Sequence, residues 1–215
     1  MYQRPMLKSL AFFIKSEHAM KHSIEETGPE AEYHALMQAG ELKPDTDQAR
    51  AVASLERLHH ELIDYAGVGS KRGGFSFKNG WLTGLLRRLG SNNPVPKGIY
   101  FYGGVGRGKS MLMDLFFSVI PLASKRRVHF HEFMLDVHAR LKEAHDLAAQ
   151  KRSQRGGRAS DADPIPVIAR QIANEASLLC FDVLQVTDIG DAMVLTRLFK
   201  ELFELGIIVV ATSNR

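Results

Sequence analysis

The chain has 215 residues, 45% apolar and 24% charged, enough for one sizeable core and a small second lobe of an ordinary soluble globular protein. Lys and Arg exceed Asp and Glu by 28 − 24 = +4 and the pI is near 9.2, a mild basic excess that reads as solvated surface, not as a nucleic-acid footprint. No apolar run is long enough to span a bilayer, and the single Cys180, read as a small buried apolar side chain, has no partner for an intramolecular disulfide and suits a reducing compartment.

Residues 1–30 show little periodicity and are expected to form a loosely ordered extension. The opening MYQRPMLKSLAFFIK lacks a continuous apolar core followed by a small-residue cleavage site, so no secretory signal is read. Cytoplasm is the expected location. A mitochondrial presequence is the alternative, and Glu25 and Glu26 soon after argue against it. The pattern firms up at Ala31, and 31–97 reads as an N-terminal helical segment. Asp45 opens a helix there, with Gln48 three residues later in capping-box spacing. Val52, Leu55, Leu58 and Leu62 then form one apolar face. GVGSKRGGF (67–75) breaks this helix, and a short amphipathic helix follows with Trp81, Leu82, Leu85 and Leu89 on one side and Arg87 and Arg88 near its end.

After SNNPVPKG (91–98) the style of the chain changes, and 98–215 reads as an alternation of strands and helices. GIYFYG (98–103) is a strand, a glycine-rich turn leads into helix 108–119, and RRVHFH (126–131) is a second strand followed by a helix to about Gln150. KRSQRGGRASDAD (151–163) is basic and turn-rich, hence a mobile loop; PIPVIARQIANEA is a helix with Pro near its first turn. SLLCFD, residues 190–205 and GIIVVATSN complete the series as strand, helix and strand. The last two strands are nearly continuous apolar runs, as in strands covered on both faces, so a parallel α/β sheet is predicted.

GGVGRGKS (103–110) satisfies Gly-x-x-x-x-Gly-Lys-Ser between a strand and a helix, the context that a phosphate-binding loop requires. Its glycines let backbone amides fold inward around phosphate oxygens, and the helix N-terminus adds a favourable dipole. Lys109 can reach β- and γ-phosphates and Ser110 can ligate Mg²⁺, so a nucleotide with Mg²⁺ is the expected ligand. The site is read as Gly103, Gly104, Val105, Gly106, Arg107, Gly108, Lys109, Ser110 and Met111. Asp182, ending an apolar strand, is the second Mg²⁺ group, and Asn214 after the last strand is placed to orient water or touch the γ-phosphate, with a plain turn residue as the alternative.

Together GIYFYGGVGRGKSMLMDLFF, RVHFHEFMLDVHARL, DPIPVIARQIANEASLLCFD, QVTDIGDAM and VVATSNR resemble the ZapE family of AAA+ ATPases, bacterial cell-division proteins with mitochondrial relatives. The resemblance runs from about Glu32 onward and implies an ATP-dependent P-loop protein of the AAA+ type, with homo-oligomeric relatives and, in bacteria, the tubulin-like FtsZ as a polypeptide partner. It maps Gly103, Gly108, Lys109 and Ser110 onto the phosphate loop, Asp182 onto the Mg²⁺ aspartate, and Asn214 onto the γ-phosphate sensor. Gln48 matches a glutamine where adenine could be contacted, beside its reading as a capping-box residue.

Two departures bear on chemistry. The family pattern after the strand is Asp-Glu, and here it is Asp182-Val183. The matched core also reads as incomplete, without the fifth strand and helical lid that carry a second sensor and an arginine finger, and weaker ring assembly is expected. A general base contributes about 10²–10⁴-fold and an arginine finger about 10³–10⁵-fold, so binding with slow hydrolysis is the expectation, and a non-catalytic ATP-binding assembly or regulatory protein the alternative. Valine itself suits the end of a buried strand. Asp188 and Asp191 are read as helix-start groups, Asp188 as the cap, and not as replacement bases. No Asn-Lys-x-Asp marks a guanine site. His129 and His131 on one strand face, with His138 and His145 beyond, lack a His-Glu-x-x-His pattern, so no metal site is assigned to them. Phe133 or Met134 falls where AAA+ rings carry a pore loop; a buried hydrophobe at a helix start is the other reading.

Overall fold

The computed structural model describes residues 28–70, 95–155, 163–186 and 188–214. Residues 1–27 of the extension expected over 1–30, the short helix read at 81–89 and residues 156–162 of the expected loop lie outside the described residues, while Pro29 and Glu30, expected in the extension, open a helix. Two helices, α1 (Pro29–Gln38) and α2 (Thr46–Ser70), precede the sheet. Then follow β1 (Ile99–Gly103), α3 (Lys109–Val119), β2 (Lys125–His129), α4 (Phe130–Arg155), α5 (Ile165–Glu175), β3 (Leu178–Asp182), α6 (Ile189–Glu204) and β4 (Ile208–Asn214).

The sheet is parallel throughout, in the order β1-β4-β3-β2. Period-two alternation in its two central strands divides the core between the faces. Leu178 and Cys180 of β3, with Ile208 and Val210 of β4, pack toward the helices α1, α2 and α3. Leu179, Phe181 and Ala211 face the other way, into a cluster built by α4, α5 and α6. Both faces are covered, which is why residues 178–181 of β3 and 208–211 of β4 are all apolar. Cys180 is fully buried, and burial pushes its thiol pKa up to about 12, so it behaves as an apolar side chain.

Local sequence explains the element ends. Asp45 accepts hydrogen bonds from the amides of Asp47 and Gln48 at 2.8 and 3.1 Å, and so caps α2 as read from the sequence. Val52, Leu55, Leu58 and Leu62 are all buried on one face of that helix. Asp188 caps α6 in the same way through the amides of Gly190 and Asp191. Lys125 donates to the carbonyls of Phe117 and Ile120, putting a cation at the C-terminal end of α3. Arg126, Asp136, Arg140 and Glu175 form a linked ion-pair group joining β2, α4 and α5.

Some boundaries move. The helix read as broken at Gly67 continues to Ser70, and α4 continues to Arg155, taking in the first residues of the expected loop. The second strand ends at His129, so His131 lies on a helix and shares no strand face with His129. Phe133 and Met134 are buried in the core, which removes them as candidates for a pore loop.

Candidate nucleotide site

The phosphate loop leaves β1 at Gly103 and enters α3 at Lys109. Gly106 and Gly108 take φ of 78° and 80°, a left-handed backbone that side chains disfavour. Gly108 has a second constraint, since a Cβ there would lie 3.0 Å from Gln48 Nε2. Gly104, Val105, Gly106 and Arg107 form an exposed turn, and Met111 packs beneath it. The Lys109 ammonium donates to the carbonyls of Gly103 and Gly104 at 3.0 and 2.8 Å, which places it over the loop.

Ser110 Oγ donates to Asp182 Oδ1 at 2.8 Å. The strand period explains the meeting. Asp182 continues the Leu178–Cys180 series on the α3 side of the sheet, and Thr212 continues the Ile208–Val210 series beside it. Thr212 Oγ1 donates to the same Asp182 oxygen at 3.0 Å, and Arg127 of β2 donates to Asp182 Oδ2 at 2.8 Å. Arg127 also pairs with Asp114 of α3. Asp182 is nearly buried, and burial would raise its pKa. Hydrogen bonds from Ser110, Thr212 and Arg127, and the Arg127 charge, outweigh that and hold it below the ordinary 3.8.

Beyond Asp182 the strand stops. Val183 has φ 51° and is 36% exposed, so it does not sit at the end of a buried strand as its apolar side chain suggested. A β-branched residue there is strained by roughly 1–2 kcal/mol. Two hydrogen bonds hold the turn: Val183 N–H donates to Thr212 Oγ1 at 3.1 Å, and Leu184 N–H to the Thr212 carbonyl at 2.6 Å. Asp188 is occupied as the α6 cap and Asp191 is 2.7 Å from His138 Nε2. Arg127, His129, Glu132 and Asp182 share the lining of a hollow of about 390 Å³ beside the strand end.

Gln48 reaches the loop from α2. Its Nε2 donates to the Arg107 carbonyl at 3.3 Å, and Tyr33 OH donates to its Oε1 at 3.4 Å. The side chain therefore spans to the phosphate loop, away from the capping-box role. Asn214 ends β4 in register with Gly103, exposed beside the loop. Arg127 and Thr212 went unread in the sequence. A threonine inside the apolar run IVVATSN was the one available signal for Thr212.

The strand order, the loop between β1 and α3 and the aspartate at the tip of β3 define a P-loop NTPase fold of the AAA+ type. A sequence model described as "AFG1-like ATPase" matches residues 27–215. The chain belongs to the AFG1-like ATPase family. It is 39% identical to zebrafish (Danio rerio) lactation elevated protein 1 homolog B, over 85% of this chain and 41% of that protein. It is also 39% identical to the cell division protein ZapE of Escherichia coli K12, over 86% of this chain and 45% of that one. The chain thus spans less than half the length of the curated relatives it matches. Among solved structures, the DnaC helicase loader aligns with a TM-score of 0.46 at 12% identity, over 81% of this chain and 73% of that one. Among the described residues, no helix is long and apolar enough to cross a membrane.

Proposed function

We propose that the chain binds ATP with Mg²⁺ at residues 103–110 and hydrolyses it slowly. The observation that carries this reading is the 2.8 Å hydrogen bond between Ser110 and Asp182, a hydroxyl and a carboxylate side by side at the mouth of the loop. Hard oxygen groups of this kind fit Mg²⁺, which Ser110 and Asp182 would hold and which would supply positive charge against the phosphates. The loop amides and the start of α3 would hold the phosphates, and Lys109 would exchange its two carbonyl partners for phosphate oxygens. Gln48 stands at the loop from α2 and Asn214 at the end of β4, positions that suit a base-side contact and a γ-phosphate sensor.

Slow hydrolysis follows from Val183, which cannot accept a proton from water, while Asp188 and Asp191 are engaged elsewhere. The same valine supports a second reading, an ATP-binding assembly or regulatory protein in which nucleotide is a structural ligand. The name of the Escherichia coli relative, a cell division protein, extends the proposal to a role in cell division, and the family resemblance read in the sequence adds assembly of copies and a polypeptide partner such as FtsZ. Calorimetry with ATP and Mg²⁺ tests the site. Lys109→Ala should weaken binding about 10–100-fold, as expected for loss of a charge-assisted hydrogen bond; equal affinity in both proteins would place the nucleotide elsewhere.

A further inference from the structure

We propose that Glu56, His59 and His60 of α2 bind a divalent d-block cation, Zn²⁺ foremost, as a brace behind the phosphate loop. The three occupy positions i, i+3 and i+4 of one helix, spacing that brings side chains together on one face. One donor atom from each lies within 4.8 Å of the others, a spread that small side-chain rotations close to common ligand distances of about 2.0–2.2 Å. His60 Nε2 is already 3.0 Å from Glu56 Oε1.

His59 is what an ordinary ion pair leaves unexplained. It is fully buried, and among the described residues neither Nδ1 nor Nε2 has a hydrogen-bond partner. Its Nδ1 is 3.9 Å from Glu56 Oε1, beyond hydrogen-bond reach. Buried polar groups in folded proteins are nearly always partnered, so an imidazole of this kind asks for a ligand. A metal ion between the two rings and the carboxylate would use one of these nitrogens.

Glu56 is also held from behind, as metal-ligating carboxylates commonly are. Its Oε2 accepts the amide of Glu30 at 2.8 Å, capping α1 in place of the side chain that Gly28 lacks. A Cβ on Gly28 would lie 2.3 Å from Glu56 Oε1, so the residue before α1 must leave that oxygen its space. Two histidines and one glutamate make a three-ligand set with a further position for water. All three ligands lie on α2, so an ion there would stiffen that helix, whose Gln48 touches Arg107 of the phosphate loop, and would fix Glu56 against the start of α1.

The test uses the full 215-residue chain, stripped with a chelator and titrated with Co²⁺, then with Zn²⁺ against a chromophoric chelator. The expected result is one Co²⁺ per chain with visible d–d bands, displaced by Zn²⁺. His60→Ala, at a half-exposed position, should fold normally and weaken both ions by at least about tenfold. His59→Gln should do the same. His145→Ala, on the exposed side of α4, should leave the affinity unchanged. Absence of saturable equimolar binding would overturn the proposal, as would His60→Ala binding like the parent or His145→Ala losing as much.

Discussion

Thr212 donates its hydroxyl hydrogen to Asp182 and accepts the Val183 amide on the same oxygen, at 3.0 and 3.1 Å. One uncharged side chain from β4 thus fixes both the Asp182 carboxylate and the turn that follows it. Thr212→Val should leave the Val183 amide unpaired and remove one of the hydrogen bonds to Asp182. A loss of about 1–3 kcal/mol in urea unfolding is expected, whereas Thr212→Ser should retain most of the stability.

Val183→Glu should raise steady-state phosphate release by about 100-fold, the lower end of the ~10²–10⁴-fold that a general base contributes. Glutamate is not β-branched, so the left-handed backbone should accept it at least as well as valine. Val183→Gly should relieve the strain and stabilise the fold by about 0.5–1 kcal/mol without raising turnover. If the parent chain already hydrolyses as fast as the glutamate variant, Glu132 or His129 in the neighbouring hollow is the base, and Glu132→Gln would expose it.

The Asp182 carboxyl titrates below its ordinary 3.8 in the folded chain. Between the two values the unfolded chain binds more protons, so stability rises with pH across that window. The Asp182 contribution should be complete above about pH 4 and fade as pH falls through the folded value. Urea midpoints at pH 6, 4 and 3 should show this decline, and Asp182→Asn should flatten it. An identical slope in the variant would mean that other carboxylates carry the acid sensitivity.

Gln48→Ala removes two long hydrogen bonds at a partly exposed position, so a stability loss below about 1 kcal/mol is expected. Nucleotide affinity should fall more than this, because the side chain reaches the loop carbonyl of Arg107. Calorimetry with ATP compared against inorganic triphosphate separates the cases. A loss for ATP alone marks a base-side contact, and an equal loss for both marks a loop-positioning role.

Local pattern was enough to read the four strands and the helices α2 to α6, because burial on two faces writes itself as apolar runs and capping residues announce helix starts. Asp45 and Asp188 were legible for that reason. Helix α1 was read only within a helical segment 31–97, and its start at Pro29 was missed. The phosphate loop and Asp182 were legible because their residue types have few other uses at those positions. Arg127 and Thr212 were not. Each looks like an ordinary strand residue until the β2–β3 and β3–β4 registers bring it beside Asp182. The left-handed turn at Val183 was hidden too, since valine suggests extended backbone and long-range tethering overrides that preference. His59 read as part of a helix, and its lack of partners is visible only once neighbouring helices are in place.

The strand that separates β1 from β3 is β4, which comes last in sequence among the four. During synthesis, β1 and the loop behind it therefore emerge about a hundred residues before their only pairing neighbour among the described strands. Until residues 208–214 leave the ribosome, β3 can pair with β2 alone and nothing anchors Gly103 beside Asn214. Non-local pairing of this kind is slow, because chain entropy is lost before the contacts form. The nascent chain thus brings the loop after β1 beside Asp182 in one late step, and a ribosome stalled before β4 would display a helical and partly stranded polypeptide in which nothing holds Gly103 near Asp182.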